Sequence, residues 1–73
     1  MVKIVFYYRK CLKKIPLTNL LQREARMSLA DAHDNVDDFS KGISFVVEVD
    51  STVAAQRLLD AAKKLGATGR IEG

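Results

Sequence analysis

Residues 28–42, SLADAHDNVDDFSKG, carry the start, the buried face and the stop of one helix. Ser28 is suited to the N-cap, where its hydroxyl accepts from an amide of the first turn that has no partner inside the helix. Asp31 follows three residues later, close to the capping-box pattern and at the positive end of the helix dipole. Leu29, Ala32, Val36 and Phe39 recur at three- and four-residue spacing, which predicts one apolar stripe facing a core. Asp31, Asp34, Asp37 and Asp38 fall largely off that stripe. Lys41 sits near the negative end, and Gly42 can take the left-handed conformation that ends a helix. A short helix with one buried face needs partners, and the flanking segments have the right periodicities to supply them.

Residues 2–9 (VKIVFYYR) alternate as a strand does, with Val2, Ile4, Phe6 and Tyr8 predicted to face the core. Residues 10–14 (KCLKK) form a basic connector. Pro16 fits the first turn of a helix, where its missing amide is not needed. Leu17, Leu20, Leu21 and Ala25 give that helix its buried edge, and Asn19, Gln22, Arg23 and Arg26 its exposed one. Met27 then leads into the Ser28 cap with almost no loop. Residues 43–49 (ISFVVEV) alternate again, with Ile43, Phe45, Val47 and Val49 inward. Asp50, Ser51 and Thr52 are helix-start residues. Residues 53–65 are rich in alanine and leucine and predict a strong helix, with Ala55, Leu58, Leu59, Ala62 and Leu65 apolar, Lys63 and Lys64 at its C-terminal end, and Gly66 as its stop. Residues 68–72 (TGRIE) predict a last short strand with Ile71 inward. The order is strand, helix, helix, strand, helix, strand. The expected fold class is therefore α+β: a two-layer β-α-α-β-α-β sandwich, with a small three-stranded sheet and all helices on one face. The other sheet face stays open to water, as antiparallel sheets allow.

Seventy-three residues make one domain, 1–73, with room for a single two-layer core and none for a deep catalytic cleft. A hydrophobic fraction of 48% beside 29% charged residues excludes a disordered chain. No apolar run approaches the roughly 20 residues that cross a bilayer. The first ten residues are too short and too strand-like for a signal peptide. Cys11 is the one cysteine, so no internal disulfide or cysteine-rich zinc site is expected, and a reducing, cytoplasmic setting follows. The net charge of +3 hides an uneven layout. Residues 1–26 carry Lys3, Arg9, Lys10, Lys13, Lys14, Arg23 and Arg26 against Glu24. Residues 27–50 carry Asp31, Asp34, Asp37, Asp38, Glu48 and Asp50 against Lys41. Such a molecule has two electrically distinct regions.

From Lys14 to Ile71 the chain resembles the C-terminal domain of the bacterial ribosomal stalk protein, and the related fold of the Clp protease adaptor ClpS. KIPLTNLL corresponds to the stalk domain's first helix. MSLADAHDNV is similar to its second, with Leu29, Ala32, Asp34 and Val36 in register. AAQRLLDAAKKLGATGRIE is similar to its last helix, helix stop and final strand. The matching positions are core and cap positions, so the resemblance implies the fold first. It also implies a protein-binding surface on the first two helices. There the chain departs from the stalk pattern, with Asn19, Gln22 and His33 at three basic positions and Arg26, Met27 and Ser28 in place of a glycine-rich bend. Where ClpS carries acidic and amide groups for a free amine, this chain has Arg9, Lys10, Cys11, Leu12 and Lys13.

No nucleophile elbow, phosphate-binding glycine loop or metal-ligand spacing occurs, so the chain is expected not to be an enzyme and to need no cofactor or metal. The four aspartates of residues 28–42 lack the alternating loop positions and glycine turn of a calcium site. His33 has no converging partners and is read as a boundary histidine. Cys11 lies among cations that favour its thiolate but has no resolving cysteine. The chain is expected to be a protein–protein interaction module that meets its partner through Lys14, Asn19, Gln22, Arg23, Arg26 and His33. The alternative is nucleic-acid binding through Arg9, Lys10, Lys13, Lys14 and Tyr7, with Val5, Val46, Lys3 and Arg70 on the open sheet face. A third expectation is self-association through that face or an edge strand.

Overall fold

The computed structural model describes residues 1–72. In chain order the elements are β1 (Val2–Arg9), α1 (Lys14–Glu24), α2 (Leu29–Ser40), β2 (Phe45–Val49), α3 (Thr52–Lys64) and β3 (Ala67–Glu72). The strands form one antiparallel sheet in the order β2-β1-β3, with β1 at the centre. This is the expected α+β sandwich, and it adds the strand order that periodicity alone does not fix. Among the described residues, no helix is long and apolar enough to cross a membrane.

The core lies between the helices and one sheet face. Ile4 and Phe6 from β1, Phe45, Val47 and Val49 from β2, Leu17, Leu20 and Leu21 from α1, Ala32, Val36 and Phe39 from α2, and Ala55, Leu58 and Ala62 from α3 are buried together. Three phenylalanines join its layers. Phe39 meets Phe6 and Phe45 edge-on, with centroids 6.3 and 5.2 Å away, and Phe6 and Phe45 stack at 5.0 Å. Both distances and orientations are those aromatic rings prefer.

The punctuation around α2 is present in full. The Ser28 hydroxyl accepts from the Asp31 amide at 3.2 Å. Gly42 has φ +99°, its amide donates to Phe39 O at 3.1 Å, and the Ile43 amide donates to Asp38 O at 3.1 Å. That pair of bonds is the Schellman stop, which satisfies carbonyls the helix would otherwise leave open. Ser51 caps α3 in the same way as Ser28, accepting from the Ala54 amide at 3.1 Å.

Three predicted core residues are exposed. Leu29, 61% exposed, stands in the first turn of α2, beside the bend. Met27 closes that end of the core instead, partly buried and accepting from the Asn35 amide at 3.6 Å. Tyr8 is exposed because β1 bulges: Phe6 pairs with Gly69 but Tyr8 pairs with Thr68, so Tyr7 is one residue too many and the alternation loses phase. Ile43 is exposed because its amide belongs to the α2 stop and β2 begins only at Phe45. Val2, Leu59, Leu65 and Ile71 are half-buried against the core, as their inward assignment requires.

Candidate functional site

A groove of about 520 Å³ runs between α1 and α2. Leu12 from the connector, Ile15 and Pro16 from the first turn of α1, and Val36 from α2 give it an apolar lining. Lys14, Thr18, His33 and Asp37 give it a polar one. The groove exists because α1 begins at Lys14, before Pro16, so that Ile15 emerges from its first turn on the solvent side, 77% exposed. The helix needs no amide from Pro16 there.

Its charges are arranged around Asp37. Lys14 Nζ reaches Asp37 Oδ1 at 3.4 Å across the two helices, and Lys41 Nζ reaches Oδ2 at 3.2 Å from one turn further along α2. The hydrogen bond and charge of Lys41, then the hydrogen bond and charge of Lys14, hold the Asp37 carboxyl below the ordinary aspartate range. The Thr18 hydroxyl is committed as a donor to Lys14 O at 2.9 Å. His33 Nδ1 lies 3.9 Å from Asp34 Oδ1, on the solvent side, with both side chains largely exposed. The groove therefore presents an apolar strip, an exposed ion pair and an open imidazole.

Of the six residues expected to form a contact surface, two pairs line neighbouring hollows. Lys14 and His33 line the α1–α2 groove. Asn19 and Arg23 line a second hollow between α1 and α3, with Leu20, Ala61, Lys64 and Leu65. Gln22 is half-buried, and Arg26 occupies the α1–α2 bend with φ +55°. Arg23 approaches Glu24 at 3.6 Å, and the same carboxylate accepts from Arg57 Nε at 2.8 Å, tying α1 to α3. Of the groove residues only Lys14 and His33 are expected as contacts from the sequence; Leu12, Ile15, Pro16, Thr18, Val36 and Asp37 are not. An isoleucine beside the proline of a helix's first turn, off its leucine stripe, was the available signal.

The residues of the nucleic-acid alternative are dispersed. Arg9 Nε donates to Ser40 O at 2.9 Å. Lys14 is engaged with Asp37. Tyr7 sits on the open sheet face, 53% exposed, with the Arg70 guanidinium 5.8 Å from its ring centre. Arg70 is in turn held by Glu72 at 2.9 Å. Lys10 and Lys13 instead meet Lys63 and Lys64 at the end of α3. Among the described residues, no group of three or more His, Cys, Asp or Glu side chains is placed to hold a metal ion.

No protein-family model, curated protein or solved structure matches this chain.

Proposed function

We propose that this chain is a non-enzymatic protein–protein interaction module of the cytoplasm, stalk-like or Clp-adaptor-like in fold and acting in translation or in regulated proteolysis. Its partner lays an apolar segment along the α1–α2 groove. Ile15 carries the proposal. A single exposed apolar residue is ordinary on a protein surface. Ile15, however, lies in a groove whose accessible apolar lining Leu12 and Pro16 continue, with Lys14, Asp37 and His33 beside it to fix the register of a bound chain. Apolar anchors with a polar surround are the usual anatomy of such contacts. The succession β1–α1–α2–β2–α3–β3 is the one on which the stalk and adaptor resemblance rests, and it supports a role on these two helices.

Quantitative affinity capture from the native host tests this, with wild type, Ile15→Asp and Val46→Asp as baits. Val46 is 53% exposed on the open sheet face, so both substitutions put the same charge on an exposed apolar site. Ile15→Asp is expected to lose the specific partner at least tenfold while Val46→Asp retains it. Equal recovery by Ile15→Asp and wild type removes the groove from the account.

A further inference from the structure

Antiparallel pairing of β1 with β3 brings the connector after β1 against the end of α3. Two backbone bonds hold it there: the Lys10 amide donates to Gly66 O and the Lys13 amide to Leu65 O, both at 2.9 Å. Gly66 makes the approach feasible. Its φ is +92°, and a β-carbon at that position would fall 2.2 Å from Lys10 O. Lys10 and Lys13 thus line one hollow with Lys63 and Lys64, together with Tyr8, which is 54% exposed.

Four lysines lining one hollow are more than helix capping and ion pairing account for. They are not required as helix caps. The Leu65 and Gly66 amides bond Ala62 O and Lys63 O, and the connector amides take the Leu65 and Gly66 carbonyls. None of the four makes an ion pair among the described residues. Asp60 lies beside Lys63 and Lys64 and accepts from Gln56 Nε2 at 3.0 Å, and its single negative charge offsets only one of the four lysines. The end of α3 contributes a partial negative charge of about half a unit, well short of four cations.

We infer that this hollow binds the sugar–phosphate backbone of single-stranded nucleic acid. The lysines neutralise phosphates, and the exposed Tyr8 ring offers a face on which a base stacks, which duplex bases cannot use. The site shares no residue with the α1–α2 groove and stands independently of it.

Fluorescence anisotropy with a labelled oligothymidylate, titrated between about 50 and 200 mM salt, tests this. With four lysine–phosphate contacts the logarithm of affinity falls with the logarithm of salt at a slope of about −3. Lys63→Ala with Lys64→Ala is expected to halve that slope and weaken binding at least tenfold at low salt. Arg26→Ala with Lys41→Ala, which removes the same net charge elsewhere, is expected to stay within about threefold. Tyr8→Ser is expected to weaken binding about tenfold with the slope unchanged. No binding by wild type at low salt overturns the inference. So does equal loss in the two double variants, and so does displacement of the strand by polyglutamate as readily as by unlabelled strand.

Discussion

Phe39 and His33 lie on the same helix and have opposite surroundings. The Phe39 ring packs edge-on against the stacked Phe6 and Phe45 and is 1% exposed, whereas His33 faces water and Asp34. Phe39→Ala removes the ring that joins α2 to both strands and is expected to cost about 3–5 kcal/mol, a large share of the stability of so small a domain. His33→Ala is expected to stay within about 0.5 kcal/mol of wild type. Urea unfolding of the two variants checks this, and the reverse ranking would invert the faces assigned to α2. Ala32, Val36 and Phe39 were legible because three- and four-residue spacing is a property of the helix itself. Leu29 obeys the same spacing and is exposed, because burial also depends on what lies opposite, and at the N-terminal end of α2 it is Met27 that packs against the core. Tyr8 was misread for a related reason: one extra residue at Tyr7 inverts the strand alternation, and no glycine or proline announces the bulge in the sequence.

Element ends were the most legible part of this chain. Ser28, Ser51, Gly42 and Gly66 act where side-chain and backbone chemistry places them, since capping is settled within a few residues. What those ends touch was not legible. Gly66 stops α3, but it also receives the connector, and that second role appears only once β3 is known to pair with β1. For the same reason Lys63 and Lys64 read as complements of a helix dipole and not as neighbours of Lys10 and Lys13. Gly66→Ala carries both a disfavoured φ and a clash with the Lys10 carbonyl. It is expected to destabilise by roughly 1–3 kcal/mol or more, and to speed hydrogen exchange at the Lys10 and Lys13 amides. Unchanged melting together with unchanged exchange at those amides would mean that the connector is not fastened there.

At the scale of the whole molecule, the three-stranded sheet gives one face to the core and leaves the other to Tyr7, Val46 and Arg70. The helical layer carries the groove between α1 and α2, and the end of α3 carries the lysine hollow. The two-layer arrangement could be anticipated from periodicity. The groove could not, because it is a product of how two helices cross and of an isoleucine that stays outside the core. The account stands or falls on which surface meets the partner. Site-specific incorporation of a photo-crosslinking amino acid in the native host, at Ile15 in one protein and at Tyr7 in another, reads this directly. The account predicts a discrete adduct to a partner protein from position 15 and none from position 7. An adduct from Tyr7 with none from Ile15 would contradict it.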